Sequence, residues 1–284
     1  MATIVCDFLN NSMISVIIPT LDCRELLLGA LESIGQQTSQ NVEVIISDGG
    51  SSDGTQDAAR NLLKKLELSY CILEQPGSSI YGAMNLGMQV ACGEWLYFLG
   101  SDDRFASSTV IEQLKPALQN RKHHVVYGDA WIVNQGRLWC GGEFTARSLG
   151  RWTMPHQATF YRASTLQRLR MKYDERYPIE ADWDFNLRLW NRVHFAYVDI
   201  IVVNYAGDGV SSQMSATPLY DSLAERILQI YGLRAFAFLP SYRLAEACRS
   251  HRNPLIRLVF EVVHFWEGVT RAFQRLVTKK STGS

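Results

Sequence analysis

The first half of the chain alternates short apolar segments with longer stretches whose apolar residues recur at helical spacing. The apolar segments cover residues 14–19, 42–48, 68–74 and 95–99, and a helical stretch follows each of the first three. Consecutive strand–helix units form a parallel sheet, with the connecting helices packed on its two faces. The predicted fold class is therefore α/β, with a mostly parallel sheet and helices on both faces.

Acidic residues follow the predicted strands at their carboxyl ends. In chain order they are Asp22, Asp48, Glu74, Asp102 and Asp103. Sheets of this kind bind ligands outside the carboxyl ends of their strands. A single acid at such a position is equally well explained as a turn residue. Several acids at one edge of the sheet favour a binding site.

Asp102 and Asp103 are adjacent carboxylates at the end of a buried strand, so their charges repel each other. Mg²⁺ and Mn²⁺ prefer oxygen ligands and are often held by one or two carboxylates together with phosphate oxygens. The pair therefore predicts a divalent cation that bridges to a diphosphate. A solvated turn leading into the next helix is the alternative that these residues leave open.

The loop over residues 47–55, SDGGSSDGT, is rich in glycine and joins a strand to a helix. Glycines allow close approach of a ligand, but the loop has neither the Gly-Lys-Ser/Thr of a P-loop nor the spacing of G-x-G-x-x-G. It therefore predicts neither an ATPase nor a dinucleotide binder. Asp48 could accept a hydrogen bond from a base, and Ser52 or Asp53 is the expected N-cap of the following helix. A plain tight turn remains the alternative.

Five motifs together resemble a known family. ISVIIPT, VEVIISDGGSSDGT, GSSIYGAMNLGMQVACGEWLYFLGSDD, HQATFY and EADWDFNLRL stand in this order within roughly residues 13–210. This order resembles the family-2 inverting glycosyltransferases, and most of all bacterial enzymes that build colanic acid, O-antigen or capsule. The resemblance implies the GT-A fold, with a Rossmann-like, mostly parallel sheet. It also implies transfer of a sugar from a nucleotide-sugar donor, most often a UDP-sugar, to a saccharide or undecaprenyl-linked acceptor.

The resemblance also implies roles for individual residues on the donor side. Asp48 corresponds to the residue that reads the nucleotide base, usually uracil. Pro19 and Thr20 line the same pocket, and Asn85 belongs to a helix that flanks the donor.

On the metal and acceptor side, Asp102 corresponds to the second acid of the family's D-x-D motif, with Asp103 beside it, and the pair would bind Mg²⁺ or Mn²⁺. Asp182 corresponds to the general base, and His156 to a histidine on the acceptor side.

The sequence departs from the family pattern at three positions. Gly100 replaces the first acid of D-x-D, which leaves fewer groups for a metal. Leu21 replaces the aromatic residue that often stacks on the base, which weakens the preference for uridine. Ala181 precedes Asp182 where the family usually has Glu, and Glu180 is the nearest substitute.

The sequence predicts a catalytic domain over residues 1–218 and a helical extension over residues 219–284. Between Arg243 and Lys280 there are eight Lys or Arg against three Glu. Apolar residues keep helical spacing over 253–280, so the segment predicts a peripheral contact with an anionic membrane surface. A helix packed on the catalytic domain or on another subunit is the alternative.

The wider composition narrows the class of protein. Lys and Arg (28) balance Asp and Glu (28), so no global field favours a nucleic-acid partner. No apolar run reaches roughly 18 residues, and no basic segment precedes an apolar run at the N-terminus. The chain is therefore expected to be cytoplasmic, with at most peripheral contact at the inner face of the plasma membrane.

Two other functions are compatible with such a fold. A nucleotidyltransferase that makes a sugar nucleotide would need a glycine-rich loop with Arg and Lys near the first strand, where this chain has only Arg24. A non-catalytic carbohydrate-binding relative could lose its acids, yet Asp48, Asp102 and Asp182 are all present. The sequence therefore favours a glycosyltransferase.

Overall fold

A computed structural model describes residues 13–207, 219 and 222–238. Within these ranges the chain forms two compact units. One contains residues 13–144 and 153–207, and the other contains residues 145–152, 219 and 222–238.

The first unit begins with the alternating elements that the sequence predicts. They are β1 (Ile14–Thr20), α1 (Arg24–Gly35), β2 (Val42–Asp48), α2 (Thr55–Lys65), β3 (Ser69–Glu74), α3 (Ile80–Val90) and β4 (Trp95–Phe98). The two-residue strand β5 (Arg104–Phe105) and the helix α4 (Val110–Gln119) follow.

The remainder of the first unit mixes strands and helices. It consists of β6 (Val125–Ile132), β7 (Arg137–Trp139), β8 (Thr159–Arg162), α6 (Ala163–Arg168), α7 (Ala181–Leu189) and β9 (Phe195–Tyr205), with short 3₁₀ turns at 133–135 and 156–158. The second unit contributes the one-turn helix α5 (Ala146–Leu149), the helix α8 (Leu223–Tyr231) and a 3₁₀ segment at 232–237.

The nine strands form one mixed sheet in the order β3-β2-β1-β4-β8-β6-β9-β5, with β7 paired to β6. β1 to β4 are mutually parallel, whereas β8 is antiparallel to both β4 and β6. The register aligns Thr20 with Asp48 and Asp48 with Glu74. The carboxyl ends of the parallel strands therefore meet at one edge.

Alternate strand residues enter two apolar cores on opposite faces of the sheet. Val16 and Ile18 pack with Leu31 of α1 on one face. On the other face, Ile17 packs with Tyr81 of α3 and with Phe185 of α7. This alternation follows from the two-residue period of a strand, and it fixes α3 and α7 on the same side of the sheet.

One predicted helix cap was wrong. The N-cap of α2 is Gly54, at φ 83°, and not Ser52 or Asp53. Glycine adopts this left-handed conformation without the penalty of a Cβ atom. The Asp53 carboxylate accepts a hydrogen bond from the Thr55 N–H at 3.0 Å. Asp53 therefore contacts the first residue of the helix, although it precedes the N-cap by one residue.

The predicted helical extension lies mostly outside the described residues. Its described part contains the helix α8 (Leu223–Tyr231) and the 3₁₀ segment at 232–237. The basic stretch 243–280 lies wholly outside, and the structure does not test the predicted boundary near residue 218. No helix in the described ranges is long and apolar enough to span a bilayer.

Candidate active site

Backbone hydrogen bonds hold the ends of the parallel strands together. The Thr20 carbonyl accepts from the Gly49 N–H at 2.9 Å, and the Asp48 carbonyl accepts from the Gln75 N–H at 2.8 Å. The Ser101 hydroxyl donates to the Pro19 carbonyl at 2.8 Å. These bonds link the loops after β1, β2, β3 and β4. The side chains at this edge of the sheet are therefore held in fixed positions.

Asp48, at the end of β2, is 1% exposed. Its Oδ1 accepts hydrogen bonds from the Gly50 N–H at 2.9 Å and the Ser51 N–H at 2.7 Å. Its Oδ2 is buried and has no hydrogen-bond partner among the residues that the structure describes. Because an unsatisfied buried carboxylate oxygen costs free energy, this atom is well suited to accept an N–H from a ligand.

The other predicted donor-side residues have different surroundings. The Thr20 hydroxyl is 2.8 Å from the Cys23 sulfur, and Thr20 is 7% exposed. Leu21 is 57% exposed, so the position that carries an aromatic residue in the resembled family is a surface position here. Asp22 instead serves the loop structure, since its Oδ1 accepts from the Ser52 N–H at 2.7 Å.

The Asn85 side chain is engaged with a neighbouring backbone. Its amide donates to the Tyr173 carbonyl at 3.0 Å, and its carbonyl oxygen accepts from the Tyr173 N–H at 2.8 Å. Both polar atoms of the side chain are therefore used to fix residue 173 against α3. Asn85 therefore has a structural role in the protein. The structure does not test a contact between Asn85 and the nucleotide-sugar donor.

The two acids after β4 occupy unequal environments. Asp102 is half-buried, whereas Asp103 is 1% exposed and its Oδ1 accepts from the Ala206 N–H at 3.0 Å. Burial, and then the charge of Asp102, raise the pKa of Asp103 to about 7. Asp103 therefore ties the β4 turn to the end of β9, and at neutral pH it is partly protonated.

Gly100 lies beneath both carboxylates. A Cβ atom at this position would be 2.6 Å from Asp103 Oδ2 and 2.8 Å from Asp102 Oδ1. One oxygen of each acid therefore approaches the same point, in the space that a side chain at residue 100 would fill. This arrangement fits a Mg²⁺ or Mn²⁺ ion that takes one or two carboxylate ligands and its remaining ligands from phosphate and water.

The described residues do not form a metal site made of protein ligands alone. Within the described ranges, no three His, Cys, Asp or Glu side chains cluster closely enough to hold a metal ion. The residues thus fit a cation that arrives with a diphosphate, and they do not form a site complete in itself.

Asp182 lies in the first turn of α7, as predicted, and is 5% exposed. Its Oδ1 accepts from the Tyr81 hydroxyl at 3.0 Å and its Oδ2 from the Thr153 hydroxyl at 3.0 Å. Burial, and then the Asp182 charge, raise the pKa of Tyr81 well above its usual value. Tyr81 therefore remains a protonated donor at any physiological pH.

His156 is next to Asp182, with its Nδ1 3.4 Å from Asp182 Oδ2. It also interacts electrostatically with Asp103. His156 thus connects the predicted base with the acidic turn after β4. The structure therefore brings His156, Asp182 and Asp103 close to one another.

Asp184, two residues further along α7, is fully buried, and its Oδ2 accepts from the Arg188 guanidinium at 2.7 Å. Glu180 is the N-cap residue of α7. Tyr81 and Thr153, which the sequence did not single out, are the side chains that hold Asp182. Tyr81 lies within a recognised motif, SIYGAMNLG, but nothing in the sequence signals a role for Thr153.

Comparisons with known proteins indicate the family of this chain. The family model "Glycosyl transferase family 2" matches residues 15–171. A "PGL/p-HBAD biosynthesis glycosyltransferase" of Mycobacterium tuberculosis is 33% identical over 196 residues, which cover 68% of this chain and 76% of that protein.

A second relative is the "UDP-Glc:alpha-D-GlcNAc-diphosphoundecaprenol beta-1,3-glucosyltransferase" of Escherichia coli. It is 31% identical over 102 residues, which cover 36% of this chain and 40% of the relative. The shorter match carries less weight than the mycobacterial one.

Solved structures share the fold at low sequence identity. The S. aureus TarS fragment in complex with UDP-GlcNAc has a TM-score of 0.67 and 18% identity, covering 83% of this chain and 71% of that one. Glucosyl-3-phosphoglycerate synthase of Mycobacterium tuberculosis, crystallised with Mn²⁺ and UDP, has a TM-score of 0.53 and 15% identity, with coverages of 78% and 80%. Both are GT-A glycosyltransferases. Given the family match over more than half of its length, the chain belongs to glycosyl transferase family 2, and it is a glycosyltransferase with the GT-A fold.

Proposed function

We propose that this enzyme transfers a sugar, with inversion, from a UDP-sugar to a saccharide or undecaprenyl-linked acceptor in the synthesis of a surface polysaccharide. The observation that carries the proposal is the unpartnered, buried Oδ2 of Asp48 at the carboxyl edge of the sheet. A uracil ring presents one N–H at its pairing edge, which would satisfy this oxygen. Pro19 and Thr20 are adjacent in the aligned strand and would border the same pocket.

Asp102 is the carboxylate best placed to hold a Mg²⁺ or Mn²⁺ ion brought by the donor. Asp103, whose Oδ1 already accepts the Ala206 N–H, would contribute less and would mainly hold the turn. When bound, such an ion neutralises charge that develops on the leaving diphosphate. A neighbour with the same fold was crystallised with Mn²⁺ and UDP, which supports the use of a divalent cation.

Sugar transfer with inversion requires a base on the acceptor side. The acceptor hydroxyl attacks the anomeric carbon in line with the departing diphosphate and must lose its proton as it does so. Asp182 is the proposed source of that basicity. The two hydrogen bonds from Tyr81 and Thr153 hold its carboxylate in one orientation, in the first turn of α7.

The names of relatives support the acceptor class. The matched enzyme of Escherichia coli acts on a diphosphoundecaprenol-linked sugar, as does a "GalNAc(5)-diNAcBac-PP-undecaprenol beta-1,3-glucosyltransferase" of Campylobacter jejuni, which is 32% identical over 137 residues covering 48% of this chain and 43% of the relative. We extend that class to this chain as part of the proposal.

Donor binding provides the first test. A ligand that binds only the native state stabilises it, by about 2.7 kcal/mol at a hundredfold excess over Kd. We expect UDP with Mn²⁺ to raise the melting temperature by several degrees, and UDP alone to raise it less. Asp102→Ala should remove the metal-dependent increment and keep the increment due to UDP alone.

Asp103→Asn is the matched control, because the Asn oxygen can still accept the Ala206 N–H. It should keep most of the metal-dependent increment. If UDP, GDP and dTDP all leave the melting temperature unchanged with either metal, the proposed donor is wrong.

The basic stretch 243–280 supports a further part of the proposal, a peripheral contact at the cytoplasmic face of the membrane. A chain ending at residue 253 should no longer sediment with vesicles that contain anionic lipid, whereas the full chain should sediment with them. High salt should release the full chain only in part, since an apolar helix face would still be inserted. Equal sedimentation of both chains would place any membrane contact elsewhere.

A further inference from the structure

Asp182 is already hydrogen-bonded by two neighbours and is largely enclosed. Each of its oxygens already accepts a hydroxyl hydrogen bond, from Tyr81 and from Thr153, and its side chain is only 7% exposed. His156 is 16% exposed and lies 3.4 Å from Asp182 Oδ2. Of the two groups, the imidazole is the more accessible.

The backbone around His156 is fixed by its neighbours. The Thr159 hydroxyl and the Ala158 N–H both donate to the Pro155 carbonyl, each at 2.9 Å. The Tyr97 hydroxyl donates to the Gln157 carbonyl at 2.6 Å from the buried strand β4. A short turn held in this way gives the imidazole a defined position, as a group that transfers a proton requires.

Carboxylates from two parts of the chain lie near His156. Asp182 approaches from α7 at 3.4 Å, and Asp103 attracts the imidazole electrostatically from the turn after β4. Tyr81, behind Asp182 on α3, remains protonated. The imidazolium that forms when His156 accepts a proton would therefore lie beside two acidic side chains.

We infer that His156 and Asp182 act as a dyad, in which His156 Nε2 takes the proton of the acceptor hydroxyl and Asp182 orients and stabilises the imidazole through Nδ1–H. This inference rests on the proposed function and refines it. The 3.4 Å separation is longer than a good hydrogen bond, as is common for catalytic pairs before the substrate binds.

The step is balanced without any further reactant. The acceptor O–H bond breaks and its proton passes to Nε2, while the acceptor oxygen forms a bond to the anomeric carbon. The bond between that carbon and the diphosphate oxygen breaks, and the diphosphate leaves with the electron pair. The imidazolium, whose positive charge faces Asp182 and Asp103, later returns the proton to water.

His156→Asn tests the dyad, because the Asn amide can donate to Asp182 in place of Nδ1–H but cannot take up a proton. The rate measured is UDP release from UDP-glucose. It is measured once with an N-acetylglucosaminyl diphospho-lipid as the acceptor and once without it, when water is the acceptor. We expect kcat to fall by about 10²–10⁴-fold, with UDP affinity and melting temperature unchanged. His194→Asn, at a histidine stacked on His123 away from this pair, should leave kcat within about twofold.

The pH profile and the imidazole tautomer separate the dyad from a base formed by Asp182 alone. An imidazole base loses activity as the pH falls through about 6.5, whereas a carboxylate base stays active down to about 4. In ¹⁵N spectra, assigned by the loss of signal in His156→Asn, the neutral ring should be protonated at Nδ1. Asp182→Asn should remove that preference.

The possible failures are distinguishable. A loss of less than about tenfold in His156→Asn, an acidic limb near pH 4, or a ring protonated at Nε2 would overturn the dyad and leave Asp182 as the direct base. If the wild type releases no UDP from any UDP-sugar above the buffer rate, the proposed function fails, and the dyad with it.

Discussion

Asp182→Asn should nearly abolish sugar transfer while leaving the folded protein intact. Asparagine keeps an oxygen to accept the Tyr81 hydroxyl, and its amide can donate to the Thr153 hydroxyl, so the contacts at 3.0 Å have replacements. What is lost is the negative charge that accepts or stabilises a proton, and general-base loss typically costs about 10²–10⁴-fold in rate. We expect kcat to fall in this range, with the Kd for UDP and the melting temperature close to those of the wild type.

Asp184→Asn is the matched control, two residues away on the same helix. Its carboxylate accepts the Arg188 guanidinium at 2.7 Å and is fully buried. Replacing a buried charged acceptor of this kind costs about 1.5–3 kcal/mol, so this variant should melt at a lower temperature and still transfer sugar. Transfer by Asp182→Asn within a few-fold of wild type, with Asp184→Asn inactive yet folded, would reverse the two assignments.

Asp48→Asn should weaken donor binding without loosening the loop that carries it. The Asn oxygen can replace Oδ1, which accepts the Gly50 and Ser51 N–H groups. The new amide would replace the unpartnered Oδ2 and present a donor where the base also presents one. A hydrogen bond to a charged group is worth about 1.5–3 kcal/mol, so we expect the Kd for UDP to rise about 10–100-fold in isothermal titration, with little change in melting temperature.

Asp22→Asn serves as the control for the loop. Oδ1 of Asp22 accepts from the Ser52 N–H and hydroxyl, and an Asn oxygen can do the same. Asparagine also tolerates the left-handed backbone found at this residue, φ 46°. Its Kd for UDP should stay within about threefold of wild type. Equal Kd values for wild type and Asp48→Asn would mean that Asp48 does not contact the base.

Both predictions apply to residues that the sequence could nominate, and the reason is local. The roles of Asp48 and Asp182 were implied by a family resemblance carried by short motifs. Their places, at the end of a strand and at the start of a helix, depend on periodicity and turn chemistry within a few residues. The N-cap of α2 shows the limit of such local reasoning. Ser52 and Asp53 are preferred N-cap residues, yet the helix begins after Gly54. The position at which the loop enters the helix is set by the surrounding structure and not by cap preference alone.

The sequence by itself determined the α/β class and the parallel arrangement of the first four strands. It also determined which acids lie at the ends of those strands. These features follow from the spacing of apolar residues, which can be read within short segments. Only the tertiary structure decided what surrounds them. Tyr81 is 101 positions from Asp182, and Asp103 is 103 positions from Ala206. Such contacts arise because α3 and α7 pack on the same face of the sheet and because β9 enters it next to β5. The packing of whole elements sets those distances, so no pattern in a short window of sequence could have predicted them.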